Sequence, residues 1–107
     1  MLLDSNILIY SVRSEYIEIR DFIRANNPSV SEICRVEVLG FHKLLDLHRV
    51  TLEELFAICD ILPLTHEISD RAIGLRRVRK MGLGDSIIAT TALIHDKVLV
   101  TANVKDF

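Results

Sequence analysis

LLDSNILIY, residues 2–10, is the stretch on which the reading of the fold turns. Leu2 and Leu3 form a short β-like run, Asp4 ends it at once, and a helix is expected from about Ile7. The same change of apolar period recurs along the chain. Further β-like runs occur at Ser29 to Ser31, Ile61 to Leu64 and Val98 to Thr101, each bounded by polar residues or Pro. Longer helical segments lie between them. Ile19, Phe22 and Ile23 form one apolar stripe within residues 15–25. Ile33, Val36, Gly40, Phe41 and Leu44 form a second, with Ser29 and Glu32 at capping-box spacing ahead of it. Thr51 and Glu54 repeat that spacing and predict a short helix ending near Asp60. Another helix is expected after Thr65, running to about Lys80. After Gly82 and Gly84, the residues Ile87, Ile88, Ala92 and Leu93 mark a last helix to about His95. Strands separated by helices predict a three-layer α/β/α domain, with a central parallel sheet of four strands covered on both faces.

Composition bounds what such a chain does. With 107 residues it is expected to be a single domain, 1–107, long enough to bury roughly 65% of the surface its unfolded chain exposes. Mean hydropathy is +0.30, yet no apolar run approaches the ~18 residues of a membrane-spanning helix. Asp4 also interrupts any leader-like pattern, so a cytoplasmic protein is expected. Cys34 and Cys59 are too few and too isolated for a disulfide framework or a zinc site, and read as small core hydrophobes. Phe22, Phe41 and Phe56 read as core rather than interface. His42, His48, His66 and His95 show no metal-ligand spacing and read as surface or partly buried residues. A net charge of −2 does not advertise a nucleic-acid partner, so any such case rests on a local patch. Residues 70–80 supply one, with Arg71, Arg76, Arg77, Arg79 and Lys80 against Asp70; alone it reads as a solvated helix face.

The acidic residues carry more information. Asp4 should stand at the carboxyl end of the first strand, the edge where open parallel sheets bind ligands, although an Asp there also serves as a helix cap. Glu37 has Ile33, Gly40 and Phe41 at helical spacing, which predicts a carboxylate on the core-facing stripe, where an unpaired charge loses hydration. Asp85 has Ile88, Ala89 and Ala92 as helical neighbours and is expected to point inward from the first turn of its helix. The last strand ends in Thr101, Ala102 and Asn103, with Asp106 three residues on, so another polar group is expected at the same edge as Asp4. Carboxylates gathered there stay ionised only with a cation between them, and oxygen ligands suit Mg²⁺ or Mn²⁺ rather than zinc.

At these residues the sequence resembles the PIN-domain family, and within it the VapC-type toxin ribonucleases. LLDSNILIY is similar to the family's first-strand motif, and SEICRVEVLGF to the helix carrying its glutamate, here Glu37. GLGDSIIATTAL resembles the segment with the third acid, here Asp85, and LVTANVKDF the segment with the last polar or acidic position, here Asn103, then Asp106. The four motifs occur in the family's order and span nearly the whole chain.

The resemblance implies an endoribonuclease that hydrolyses RNA phosphodiester bonds with Mg²⁺ or Mn²⁺. Asp4 and Asp85 would be ligands, and Glu37 would bind a second ion or orient the attacking water. Asn6, Thr101, Asn103 and Asp106 would steady those ligands, and Arg76, Arg77, Arg79 and Lys80 would track the RNA backbone. It implies as partners a homodimer and a small antitoxin that plugs the acidic groove. Asn103 stands where many relatives have Asp, and the sequence stops at Phe107, where the resemblance implies a further loop and often a fifth strand. Those two departures keep a non-catalytic RNA- or protein-binding module as the alternative. A phosphatase or receiver domain of similar α/β build fits poorly, because Asn6 rather than a second Asp follows Asp4 two residues on, and Thr65 and His66 stand where a receiver needs its phosphoacceptor Asp.

Overall fold

The structure is a computed structural model and describes residues 1–102; Asn103 and Asp106 lie outside the described residues. Strands β1 (Leu2–Leu3), β2 (Ser29–Ser31), β3 (Asp60–Leu62) and β4 (Leu99–Val100) form one parallel sheet in the order β3-β2-β1-β4. Parallel neighbours need long crossovers. The first holds α1 (Ser5–Ser11), a 3₁₀ turn (Ser14–Tyr16) and α2 (Ile17–Asn26). The second holds α3 (Glu32–Leu39) and α4 (Asp46–Ile58), and the third α5 (His66–Val78) and α6 (Leu83–Ile94). Successive strand residues face opposite sides of a sheet. Leu2 and Leu3 are both buried, as are Ser29, Val30 and Ser31, so helices cover both faces.

The junctions follow local chemistry. Asn27 ends α2 in the left-handed conformation at φ 43°, which Asn tolerates well, and Pro28 then prevents the helix from continuing. Thr65 caps α5, its hydroxyl accepting from the Ile68 amide at 3.1 Å. The main core joins Leu2, Leu3, Leu8, Ile23, Val30, Cys34, Val38, Leu52, Leu55 and Ile88 across β1, β2 and five of the helices. A separate small cluster of Ile68, Ala72 and Ile87, flanked by Ile33 and Ile94, lies under α5. Cys34 is buried, Cys59 is partly so, and both are free thiols, as expected from the sequence. The four histidines are exposed or partly buried, also as expected.

Several sequence expectations need correction. The cap of α3 is Ser31, whose hydroxyl accepts from the Ile33 amide at 3.2 Å; Ser29 is committed to β2 pairing. Thr51 opens no helix but lies inside α4, its hydroxyl turned back to the Leu47 carbonyl at 3.4 Å. A mid-helix Thr satisfies itself in that way, and the exposed Leu45, Leu47 and Val50 disguise the first turns of α4. Strand β3 starts a residue early and ends two short of the expected Leu64. Phe56 is core at 3% exposure, whereas Phe22 and Phe41 are 43% and 58% exposed.

Candidate active site

The strand order locates a site before any side chain is considered. From β1 the chain moves to β2 and β3 on one side, then returns to place β4 on the other. The carboxyl ends of β1 and β4 therefore flank the point where the winding reverses, which is where open α/β sheets bind ligands. Asp4 follows β1 directly and its amide donates to the Val100 carbonyl of β4 at 2.9 Å. A cleft of about 500 Å³ opens there, lined by Asp4, Asn6, Met81, Asp85, Ile88 and Thr101 among others.

Asp4 has two roles in the fold. It is the N-cap of α1, with Oδ1 accepting from the Ser5 amide at 2.7 Å, and it is half-buried at the cleft wall. Burial pushes its carboxyl above the ordinary carboxylate value; the Ser5 amide opposes that push and the charge of Asp85 adds to it. Asp85 arrives from the first turn of α6, where its charge also complements the helix dipole.

The expected core-facing placements of Glu37 and Asp85 do not hold, because both side chains are exposed. On α3 the inward positions are Cys34 and Val38, one helical turn apart, while Val36 is 58% exposed and α3 stops at Leu39, before Gly40 and Phe41. The apolar stripe misleads because small Cys34 faces the sheet while larger Val36 does not. On α6, Ser86, Ile87 and Ile88 take the inward positions, leaving Asp85 on the cleft side.

Glu37 nevertheless reaches the same neighbourhood. Its Oε1 accepts from the Ser5 hydroxyl at 3.0 Å, directly beside Asp4 in sequence, and its carboxylate lies against Gly84, directly beside Asp85. Cys34 sits beneath: burial pushes its thiol up to about 12, the Ser5 hydroxyl offsets part of this, and the charges of Asp4 and Glu37 add to it. Ser5 and Gly84 are thus site residues that sequence reasoning misses. Ser5 is visible only as a letter inside the first motif, and Gly84 only as punctuation.

Among the described residues no three His, Cys, Asp or Glu side chains stand close enough together to hold a metal ion. The donor chemistry still fits a hard divalent cation. The acids offer only oxygen, Glu37 and Asp85 are exposed to an incoming ion, and a cation beside Asp4 relieves the like charge of Asp85. Asn6 and Thr101 line the cleft as polar neighbours of the acids. Arg71, Arg76, Arg77, Arg79 and Lys80 are all exposed. None of them lines the cleft; Arg76 Nε donates to the carbonyl of Met81, a cleft residue, at 3.4 Å, and Arg76 and Arg77 line a neighbouring pocket with Ile73 and Leu83.

A family model, the PIN domain, matches residues 1–107. A protein of Mycobacterium tuberculosis named Ribonuclease VapC10 is 33% identical over 116 aligned residues, covering 100% of this chain and 85% of that protein. A toxin-antitoxin complex from Klebsiella pneumoniae contains a chain 33% identical, at a TM-score of 0.75, covering 99% of this chain and 88% of that one. A chain of VapBC2 from Rickettsia felis, solved bound to a promoter DNA fragment, shares the fold at a TM-score of 0.74 with 22% identity, covering 97% and 88% of the two chains.

Proposed function

From the premise that this chain belongs to the PIN-domain family, we propose that it is a VapC-like ribonuclease, the toxin of a toxin-antitoxin pair, which hydrolyses RNA phosphodiester bonds with the aid of Mg²⁺ or Mn²⁺. The observation that carries the reading is the pairing of Asp4 and Asp85 across the cleft at the β1–β4 reversal, with Glu37 tied to the residue next to each.

Asp4 and Asp85 would hold the cation, and Glu37 would complete the site. When bound, a divalent ion lowers the pKa of water and neutralises charge developing on the phosphate. The chain's own groups do the rest. The cap bond engages Oδ1 of Asp4 and steadies its carboxylate at the cleft wall. Asn6 and Thr101 offer hydrogen bonds to steady ligands or substrate from the cleft wall; by their place in the last motif, Asn103 and Asp106 would assist them. The exposed Arg76, Arg77, Arg79 and Lys80 supply the attraction for the RNA backbone, setting its register rather than reading its sequence.

A protein antitoxin is the partner this reading brings, supported by the toxin-antitoxin complex among the similar structures. A homodimer belongs to the same reading, and the exposed Ile73, Val78, Leu83 and Leu93 on α5 and α6 offer apolar surface for one. No helix among the described residues is long and apolar enough to cross a membrane, and we place the protein with its RNA substrate in the cytoplasm.

The deciding experiment incubates purified protein with structured RNA and Mn²⁺. Cleavage is expected, and Asp85→Asn should reduce it by more than about a hundredfold, beyond what loss of a merely supporting group costs. Undiminished activity in EDTA, or in that variant, would overturn the metal mechanism. RNA binding without cleavage in any condition would favour the non-catalytic module instead. Expression of the wild type should arrest growth, and expression of Asp85→Asn should not.

A further inference from the structure

We propose that Ser5 and Gly84 are positioning residues that together fix the carboxylate of Glu37 between Asp4 and Asp85. The inference deepens the metal-dependent reading above and rests on it for its purpose, though not for its geometry. Glu37 projects from an exposed helix face with three rotatable side-chain bonds and nothing in α3 itself to hold it. Two contacts from other elements do so. Ser5, the first residue of α1, donates its hydroxyl to Oε1 at 3.0 Å. Gly84, the second residue of α6, presents bare backbone to the other side of the carboxylate.

The glycine is needed for space rather than for backbone freedom. Gly84 lies in a regular helix and no glycine in the chain has positive φ, so alanine fits its backbone, and helix propensity favours alanine. A Cβ at that position, however, would stand 2.7 Å from Cδ and 2.8 Å from Oε1 of Glu37. The obstructing atoms are the far end of a flexible side chain, so alanine would displace the carboxylate and leave the helix intact. Each partner is also the sequence neighbour of an acid: Ser5 follows Asp4 and Gly84 precedes Asp85. Whatever holds Glu37 therefore holds it in register with both.

The test uses the full chain as wild type, Ser5→Ala, Ser5→Thr and Gly84→Ala, each also in a Glu37→Ala background. In metal-free protein the carboxyl ¹³C resonance of Glu37 should move in Ser5→Ala and Gly84→Ala and stay near its wild-type position in Ser5→Thr. Calorimetric titration with Mn²⁺ should show about a tenfold weaker affinity in the two disruptive variants, the scale expected when a ligand loses its supporting partner. Gly84→Ala should melt no lower than wild type, which separates displacement of Glu37 from damage to the fold. In the Glu37→Ala background neither substitution should change Mn²⁺ affinity further. An unmoved resonance in both variants, or equal losses of affinity with and without Glu37, would overturn the proposal. A moved resonance in a protein that binds no Mn²⁺ would support the positioning and sink the metal-dependent reading alone.

Discussion

Asp4 caps α1 and also stands half-buried beside Asp85, and the two placements have opposite energetic signs. The cap stabilises the helix; the buried charge does not. Because its carboxyl is raised above the value of 3.8 it has when unperturbed, the native state holds that proton more tightly than the unfolded chain. The associated stability is fully present below the unfolded value and is lost as pH rises through the raised folded one. Asp4→Asn keeps a capping oxygen and removes the charge. It should abolish cleavage yet raise metal-free stability at neutral pH by about a few tenths of a kcal/mol, a small figure because the group is partly solvated. Melting curves should show the gain shrinking toward pH 4; a gain that is constant with pH would argue against the raised carboxyl. At this scale the sequence is informative about identity and less so about orientation. The motifs single out Asp4, Glu37 and Asp85, whereas helical spacing turns the last two toward the core, where the structure does not put them. That Glu37 faces out depends on Cys34 and Val38 being the residues that reach the sheet, which a stripe drawn through the larger side chains conceals.

Among the elements, α5 is the most legible and α4 the least. Thr65 marks the start of α5, and the basic run marks its end, where Arg76 and Arg77 complement the negative end of the helix dipole. Arg76 also touches the cleft rim, through the carbonyl of Met81, while both arginines line a neighbouring pocket with Ile73 and Leu83. Replacing each with Gln should weaken RNA binding by similar factors across sequences and lower the slope of log affinity against log salt by about one for each phosphate no longer neutralised. Binding measured between low and physiological salt checks this; an unchanged slope would return the patch to the role of a solvated helix face. For α4 the local pattern misleads, because a capping-box spacing is satisfied by chance and the true start at Asp46 has no side-chain cap. What anchors α4 is packing of Leu52, Leu55 and Phe56 into the core, a tertiary fact.

For the molecule as a whole, periodicity is enough to predict a parallel sheet but not the order of its strands. The order matters more for function, since the reversal between β1 and β4 creates the cleft, and strands of two or three residues carry too little pattern to reveal which pairs with which. The divided core has a different consequence. Helix α5 packs chiefly on α6 and rests on the small cluster of Ile68, Ala72 and Ile87, whereas α6 also roots in the main core through Ile88 and Ala92. Cooperative units bounded in this way open separately. Native-state hydrogen exchange should find the amides of α5 exchanging through a sub-global opening, at lower free energy than those buried in α1 and α6. Exchange of α5 only with the whole molecule would show one indivisible unit. A basic helix that detaches while the acidic cleft stays folded would let the protein loosen its grip on a long RNA without losing the geometry that cuts it.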